Sequence, residues 1–451
     1  MFARGLIAIG MSLALLAGPA AGQESAAKHE REPFENIIER LSLGEKGLFS
    51  LSEDEQARIK AITKYHTNGA QFCGTDDVVW PTTPDHWCLW EAPAGSITNV
   101  QSLIDDAMSR EVADVMGESR QIVVIHKGRL VAEAYREGFA PETKLVSWSM
   151  AKSITQALVG RAVMEGRIED IDAPMPGPWT EDDPRSQITW RQWMTMTDGL
   201  DYTEVGELDI NKNDVVQMMF GPGRFDVVDY AAGLEQVHPV GMHWNYSTAA
   251  YHMMSLALQG AIGIRTRCGT NQVLTDRSLS PVTICSPSDL PMANWLSETL
   301  FTPLGMDAQP EFDASGTFLG GSLVYASARD FARFGYLYLR DGVWNGERLL
   351  PEGWVDFARR PHEGTGSNVY GAGWWITPPE GETPTHPQSA KSAPHDAYHA
   401  GGNEGQTIWV VPSKDLVIVR LGLMSNAQEN WVALFEWSLK AARAFPDVER
   451  Q

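Results

Sequence analysis

Ser149 and Lys152 are the residues whose types and spacing point most directly to chemistry. They lie three residues apart in the segment Leu145–Thr155, where an apolar helical pattern begins. Residues i and i+3 of a helix share one face, with Cβ atoms about 5–6 Å apart, so the hydroxyl can meet the amine. A lysine can take a serine's proton once burial or nearby positive charge lowers its pKa. The spacing therefore predicts Ser149 as a nucleophile and Lys152 as its base.

The helix that would carry this pair is indicated by apolar residues at helical intervals. They run up to Gly166, where a glycine can end the helix, and comprise Met150, Ile154, Ala157, Leu158 and Ala162. Ser149 then lies in the first turn, where unpaired N–H groups and the helix dipole favour an anion. Ser25 and Lys28 repeat the spacing in a polar stretch without such a stripe. Spacing alone therefore leaves open that Ser149 is an ordinary serine at the start of a structural helix.

Residues 1–22 have the pattern of a secretory signal peptide. One basic residue, Arg4, precedes the apolar run Leu6–Ala17, and small residues follow the run. The run is shorter than the roughly 20 residues that cross a bilayer, although an uncleaved anchor stays an alternative. We therefore expect a periplasmic or secreted protein without stable membrane insertion after cleavage.

Composition and charge indicate a globular protein that does not bind nucleic acid. The 451-residue chain is 43% hydrophobic and 21% charged, enough for one large domain or two intimate ones. Its formal net charge of −22 repels nucleic acid and anionic lipid. We expect a small-molecule substrate and no nucleic-acid partner.

Four cysteines fall into two local pairs. Export would permit disulfides, and of the three possible pairings the local one, Cys73–Cys88 with Cys268–Cys285, is favoured. His66 and His86 lie near the first pair, so the four residues could instead ligate a structural zinc. Their spacing matches no known zinc pattern, which favours the disulfide.

β-like runs lie near both ends of the main domain. A hairpin is predicted from Gln121–His126 and Arg129–Tyr135. Strands return at Thr407–Val411 and Leu416–Leu421 before a last helix. Residues of about 166–320 between these groups have mostly helical patterns. These parts predict an α+β fold in which an antiparallel sheet, fed by both chain ends, is flanked by helices.

The domain boundaries follow from changes in pattern. From residue 23 the chain is polar and then rich in Pro, Trp and Cys, whereas regular helical and β-like patterns begin at Ser96. We predict a signal peptide (1–22), an N-terminal extension (23–95), a main domain (96–445, with the helical region at about 166–320) and a tail (446–451).

The main domain resembles the serine β-lactamase-related superfamily, on its class C side. The resemblance covers about residues 96–445 and lies in the motifs Ile122–Tyr135, Ser147–Ser153, Met196–Leu200, Gly320–Asp330 and Tyr338–Gly346. It implies a β-lactamase/transpeptidase-like fold. It also implies a serine hydrolase that forms an acyl-enzyme on Ser149 and needs no cofactor or metal.

The resemblance further implies a catalytic role for Tyr246. In that family a tyrosine from the helical region faces the nucleophile, and the matching stretch here is Trp244–Thr248. Tyr246 would accept a proton from Ser149 or pass one to the leaving group, and the charge of Lys152 would keep it partly ionised. A core tyrosine with a satisfied hydroxyl is the alternative.

A glycine-rich strand is implied as the third element of the site. The family uses an edge strand whose backbone N–H, together with that of the nucleophile, stabilises the oxyanion, and Tyr398–Gln406 resembles it. His399-Ala400-Gly401 matches the family's His-x-Gly pattern, which places the donor N–H at Gly402, within one or two residues. His399 would contact the substrate, unless it is an ordinary surface histidine.

Two departures from the β-lactamase and penicillin-binding pattern concern the substrate. Thr248 stands where that pattern has an asparagine that contacts the substrate amide, and no Lys-Thr-Gly occurs. The missing lysine removes a partner for a substrate carboxylate, which His399 could partly replace. Both departures favour the esterase and nylon-oligomer (linear amide) hydrolase branches. A D,D-peptidase or weak β-lactamase is the alternative within the enzymes, and a non-catalytic ligand-binding member of the family is the alternative outside them.

Signatures of three other chemistries are missing from the sequence. It has no Gly-x-Ser-x-Gly elbow, no His-Glu-x-x-His pair and no phosphate-binding Gly-x-x-x-x-Gly-Lys run. The α/β-hydrolase, zinc-protease and nucleotide-binding interpretations therefore lack their motifs.

Overall fold

The computed structural model of the protein describes residues 31–37, 98–109, 115–205, 207, 209–264, 269–275, 278–284, 291–378, 382, 385, 393–425 and 427–448. The predicted signal peptide, the rest of the N-terminal extension and all four cysteines lie outside these residues. The Cys73–Cys88 and Cys268–Cys285 pairs therefore stay predictions, as does the zinc alternative with His66 and His86.

A six-stranded antiparallel sheet forms the centre of the main domain. The described residues contain the strands β1 (Glu118–His126), β2 (Arg129–Tyr135), β3 (Leu145–Val146), β4 (Gly269–Thr275), β5 (Ser278–Ile284), β6 (Gln309–Pro310), β7 (Val324–Ala326), β8 (Val343–Trp344), β9 (Glu347–Arg348), β10 (Trp375–Ile376), β11 (Tyr398–Gly402), β12 (Gln406–Val411) and β13 (Leu416–Leu423). The sheet has the order β10-β11-β12-β13-β1-β2. Its neighbours β1 and β13 come from opposite ends of the domain and pair from Glu118↔Leu423 to His126↔Leu416. This confirms the predicted sheet fed by both chain ends.

Hydrophobic layers cover both faces of this sheet. Ile122 and Val124 pack in a cluster with the first and last long helices, whereas Val123 and Ile125 belong to the larger cluster of the helical region. Successive side chains of a strand point to opposite faces. A strand buried on both faces therefore has the continuous apolar run from which β1 was predicted.

Helices flank the sheet and are the main regular elements in the described part of the middle of the chain. They are α1 (Thr98–Met108), α2 (Ala151–Met164), α3 (Trp190–Met194), α4 (Asp214–Met219), α5 (Val227–Ala232), α6 (Thr248–Ala261), α7 (Pro291–Leu296), α8 (Thr302–Leu304), α9 (Ala328–Leu339), α10 (Trp354–Ala358) and α11 (Gln428–Arg443). Helix α2 is buried nearly all round, as is typical of a helix at the centre of a large core. None of the helices in the described residues combines the length and apolarity that a bilayer crossing requires.

The helical region contains one hairpin that the sequence patterns did not indicate. Strands β4 and β5 pair from Gly269↔Ile284 to Thr275↔Ser278. Their sequences, GTNQVLT and SLSPVTI, are largely polar and have no regular alternation. The predicted helical region thus contains the strands β4, β5 and β6 among its helices.

Residues 31–37 of the N-terminal extension pack onto the helical region. Arg31 forms an ion pair of 2.9 Å with Asp214 at the start of α4. The Glu32 backbone N–H donates to the Gln217 side chain, and Gln217 donates back to the Glu32 carbonyl. Ile37 is fully buried in the large core. This part of the extension is thus an integral element of the helical region's surface.

Candidate active site

Ser149 lies on a 3₁₀ turn, Trp148–Met150, that leads directly into α2. The preceding Ser147 anchors this turn to β7, because its N–H donates to the Val324 carbonyl at 2.8 Å and its hydroxyl accepts from the Val324 N–H at 3.0 Å. Trp148 has a φ of +45°, which is unusual for a bulky residue. Its indole N–H donates to Glu404 at 3.2 Å and helps to hold that conformation. Ser149 thus lies on a 3₁₀ turn just before the first residue of α2, rather than in the first turn of the α-helix as predicted, and contacts on both sides hold this turn.

Lys152 is buried beneath Ser149, as the predicted base must be. Its side chain is 1% exposed. Its Nζ lies 2.9 Å from Ser149 Oγ, 2.8 Å from Thr248 Oγ1 and 2.7 Å from the carbonyl oxygen of Gly321. Burial lowers the pKa of Lys152 to about 8, against an opposing effect of the Glu204 carboxylate. A substantial fraction of the amine is therefore neutral slightly above neutral pH, ready to take a proton.

Tyr246 precedes α6 and meets the same pair. Lys152 Nζ lies 4.9 Å from the centre of its ring. Burial raises the pKa of Tyr246 well above 10, and the nearby Tyr370 and Glu204 add to this, whereas a hydrogen bond with Ser149 opposes it. The expectation of a partly ionised Tyr246 is corrected: desolvation outweighs the hydrogen bond with Ser149, and the resting phenol is neutral. Tyr246 is therefore a neutral hydroxyl next to Ser149.

Glu204 is a residue of the site that the sequence motifs did not indicate. One of its carboxylate oxygens accepts from the Thr248 N–H at 2.8 Å, and the other accepts from the Thr248 hydroxyl at 2.9 Å. Thr248 thus links Glu204 to Lys152. The sequence pointed to Glu204 only indirectly, because Thr248 stands where the β-lactamase pattern has an asparagine.

His252 supports the third ligand of the amine. Its Nδ1 accepts from the Gly321 N–H at 3.4 Å, on the same loop whose carbonyl accepts from Lys152. Burial and the Lys152 charge lower the pKa of His252 to about 3, so its ring is neutral. A Cβ on Gly321 would lie 2.8 Å from the Thr248 carbonyl. Glycine is therefore required for this loop to approach α6.

Strand β11 closes the other side of the site. A Cβ on Gly402 would lie 2.2 Å from the Ser147 carbonyl and 3.2 Å from Trp148 Cβ. The strand therefore touches the nucleophile's turn at a position where only glycine fits. Glu404, just beyond the strand, accepts the Trp148 indole hydrogen bond. The predicted proximity of Gly402 and Ser149 thus has a structural basis in this contact.

The structure does not bring the His399 side chain to the nucleophile. His399 is 4% exposed and stacks on Trp409 at 4.3 Å, with Phe435 edge-on at 5.2 Å. The Trp375 indole lies 6.3 Å from His399 and 5.3 Å from Tyr246, stacked on both, so it separates them. Burial lowers the pKa of His399 to about 3. It is therefore neither a surface histidine nor a cation for a substrate carboxylate.

Aromatic side chains surround Tyr246. Tyr370 meets its ring edge-on at 5.8 Å, and Trp375 stacks on it at 5.3 Å. Trp244 lies 6.4 Å from Tyr246 and 6.1 Å from Trp375. Aromatic clusters of this kind offer large, rigid apolar surfaces. These rings therefore form one aromatic cluster next to Ser149.

Known proteins similar to this chain were found by sequence and by structure. Residues 104–441 match the Beta-lactamase family model. A 6-aminohexanoate-dimer hydrolase from Paenarthrobacter ureafaciens is 26% identical over 317 residues, which cover 66% of this chain and 71% of that protein. A Bacillus anthracis protein assigned as a 6-aminohexanoate-dimer hydrolase has a TM-score of 0.56 at 22% identity, over 74% of this chain and 81% of that chain. A penicillin-binding protein from Bacillus halodurans has a TM-score of 0.50 at 15% identity, over 75% and 98%.

The structural similarities establish the fold, and the sequence match extends over most of the chain. They confirm the predicted β-lactamase/transpeptidase-like architecture of an antiparallel sheet with helices. The matched residues include Ser149, Lys152, Tyr246 and Gly402. Such a match supports hydrolase activity. The chain belongs to the Beta-lactamase family.

Proposed function

We propose that the protein is a serine hydrolase that cleaves carboxylic ester or linear amide bonds through an acyl-enzyme on Ser149. The observation that carries this proposal is the 2.9 Å contact of Ser149 Oγ with the buried amine of Lys152, whose pKa burial lowers to about 8. A buried amine of this kind is the activating neighbour that a serine nucleophile needs. A protein that only binds ligands has no use for it.

The acylation step follows from the hydrogen bonds. Ser149 Oγ attacks the substrate carbonyl carbon while its proton passes to Lys152 Nζ. The bond from that carbon to the leaving oxygen or nitrogen then breaks, and Tyr246, as the neutral phenol hydrogen-bonded to Ser149, donates a proton to the leaving group. The proton on Lys152 then passes to Tyr246 and replaces the one that Tyr246 gave to the leaving group. Water releases the acyl group by the same steps in reverse.

The oxyanion is held by the Ser149 N–H and by a backbone N–H of β11. The Thr377 N–H donates to the Ala397 carbonyl at 3.3 Å. The backbone carbonyl of Ala397 therefore points toward the edge of β11 that β10 occupies. Peptide groups alternate along an antiparallel strand, so those of odd-numbered residues face this edge. Strand β10 pairs only with Tyr398 and His399. The donor is then Gly401, one residue before the predicted Gly402.

The substrate class is inferred from the two positions that depart from the β-lactamase pattern. Thr248 is engaged by Glu204 and Lys152, and the His399 ring is buried and neutral. Neither supplies the amide contact or the cation that β-lactam recognition uses. The aromatic wall around Tyr246 favours apolar acyl or leaving groups. Similarity to a 6-aminohexanoate-dimer hydrolase supports linear amides as substrates beside esters.

Ser149→Ala tests this function. We expect it to lower hydrolysis of p-nitrophenyl esters and linear amides at least about a thousandfold and to abolish labelling by a fluorophosphonate probe, with an unchanged circular-dichroism spectrum. The matched control is Ser25→Ala, which removes the other serine with a lysine three residues on and should change nothing. Unaltered labelling of Ser149→Ala would refute the assignment. Rapid nitrocefin turnover or stable labelling by a fluorescent penicillin would instead favour a β-lactamase or D,D-peptidase.

We further propose that this reaction takes place in the periplasm or outside the cell, on the basis of the signal-peptide pattern of residues 1–22. Fractionation of cells that express the full chain, followed by mass spectrometry of its N-terminus, tests this. A cytoplasmic protein that retains Met1 and Phe2 would contradict it.

A further inference from the structure

Glu204 binds Thr248 at the point where α6 begins. Its two carboxylate oxygens accept the Thr248 N–H at 2.8 Å and the Thr248 hydroxyl at 2.9 Å. A carboxylate is favourable at a helix N-terminus, but the hydroxyl contact is a second bond that helix capping does not require. The only proton of the Thr248 hydroxyl is thereby committed to Glu204, and its oxygen is left to accept.

That commitment determines how the lone pair of Lys152 is directed. A neutral amine has two N–H donors and one lone pair. The Gly321 carbonyl, at 2.7 Å, can only accept, and the Thr248 oxygen, at 2.8 Å, can here only accept. Both N–H donors are therefore used. The lone pair faces the remaining neighbour, Ser149 Oγ at 2.9 Å.

We propose that Glu204 is a positioning residue, which fixes the Thr248 hydroxyl so that the Lys152 lone pair is directed at Ser149. The proposal rests on the proposed function, since it assigns Glu204 a part in the same proton transfer. The arrangement serves both protonation states: after Lys152 takes the serine proton, its third N–H occupies the line of the former lone pair. No hydrogen bond has to change during the transfer, which is the condition for a preorganised site.

Without Glu204, the Thr248 hydroxyl can turn and donate to the Lys152 lone pair. The hydroxyls of Thr248 and Ser149 would then compete as donors for the single lone pair of the amine. The other titratable groups packed around Lys152 are Tyr246 and His252, both neutral because burial shifts their pKa values. Glu204 is thus the charge that raises the pKa of Lys152 against burial.

The loop that carries Glu204 is itself firmly held. The adjacent Thr203 donates its N–H and its hydroxyl to Asp214, at 2.8 Å and 2.7 Å. Asp214 also accepts from the Tyr230 hydroxyl at 2.6 Å and from Arg31 at 2.9 Å. The Asn213 side chain donates to the Glu204 carbonyl at 2.9 Å. Residues 31–37 of the N-terminal extension thereby help to support a loop of the active site.

Kinetics of Glu204→Gln across pH test the proposal. In the wild-type protein, kcat/KM should rise with pH as Lys152 loses its proton, with a midpoint near its pKa of about 8. Loss of the negative charge favours the neutral amine, so the midpoint should move to lower pH in Glu204→Gln. The plateau of kcat should fall about 10- to 100-fold, within the range of a proton-transfer contribution, while KM changes little. Glu207→Gln, on the same loop with its carboxylate bonded to the Asp209 N–H, is the matched control and should behave as wild type.

Thr248 variants decide between positioning and a merely structural cap. Thr248→Val should lose as much kcat as Glu204→Gln. The double variant should lose no more than Thr248→Val alone, because both substitutions remove the same hydrogen bond between Glu204 and the Thr248 hydroxyl. Thr248→Ser keeps the hydroxyl and should retain most of the activity. Losses that multiply in the double variant, or a pH midpoint that does not move in a folded Glu204→Gln protein, would overturn the proposal. Inactive Ser149→Ala with a fully active Glu204→Gln would refute this proposal alone, whereas active Ser149→Ala would refute the proposed function.

Discussion

The two walls of the catalytic cleft are built from different kinds of groups. The helical wall consists of Lys152, Tyr246, Thr248 and Glu204, whose side chains are joined by hydrogen bonds and ring contacts around the nucleophile. The sheet wall consists of strand β11, where Gly402 touches the Ser147 carbonyl and the His399 imidazole is held neutral by burial. In the proposed mechanism, protons are transferred on the helical wall and the substrate carbonyl is positioned on the sheet wall.

The difference predicts how each wall responds to substitution. On the helical wall the function lies in side-chain donors and acceptors, so a change of chemistry at constant volume should be severe. On the sheet wall it lies in how closely the backbone approaches Ser147, so added volume should be severe and a change of ring chemistry should not be. The three predictions below test this contrast, from the largest expected effect to the smallest.

Lys152→Met should have the largest effect. The thioether fills much of the space of the lysine stem but removes the base, so kcat/KM should fall about 10³- to 10⁴-fold. The Gly321 carbonyl loses its donor, which costs about 1–3 kcal/mol, while relief from burying an amine offsets part of this loss. Ester hydrolysis, fluorophosphonate labelling and thermal unfolding are the measurements.

The matched control for that variant is Lys144→Met. Lys144 lies on the same segment, partly exposed and paired with Asp307 at 2.6 Å, and an exposed pair of this kind contributes little to stability. Its variant should hydrolyse esters at the wild-type rate. Activity of Lys152→Met within tenfold of wild type would mean that the helical wall does not supply the base.

Gly402→Ala should have an intermediate effect, through volume alone. The added methyl would lie 2.2 Å from the Ser147 carbonyl, so the strand or the nucleophile's turn must shift. A displacement of about 1 Å can lower kcat about a hundredfold, and overpacking costs about 1–3 kcal/mol. Gly260→Ala, on α6 with open space at its Cβ, is the control. A Gly402→Ala enzyme with normal kcat would show that β11 need not touch the turn.

The sequence was sufficient for the sheet and for the pairing of Ser149 with Lys152, which the structure places 2.9 Å apart. Ser149 and Lys152 have a helical spacing, and the strands β1 and β13 are continuous apolar runs, because local spacing and burial on both faces leave a mark in the sequence. Tyr246 was found through its place in a resembling motif. These features are local, and each can be recognised within a few residues.

What could not be predicted depends on contacts between distant parts of the chain. Glu204 reaches Thr248 across 44 positions, and no motif marks it. The neutral state of Tyr246 follows from burial that only the folded chain provides. Strand β11 is short and glycine-rich, so the direction of each side chain and peptide group depends on its register with β12. A shift of one residue exchanges the two faces, which is why the oxyanion donor and His399 were the least determined parts of the site.

His399→Phe should have the smallest effect and tests that register most directly. A phenyl ring can keep the stack on Trp409 and the contact with Trp375, and the ring it replaces carries no charge at neutral pH because burial lowers its pKa to about 3. We expect kcat/KM for esters and linear amides to stay within about twofold and stability to change by about 1 kcal/mol, since phenylalanine is slightly larger. A substrate with a free carboxylate should show the same ratio of variant to wild type as its uncharged ester. A tenfold loss confined to the carboxylate substrate, in a variant with normal thermal unfolding, would mean that the imidazole reaches the substrate, and the division between a proton-handling helical wall and an uncharged sheet wall would fail.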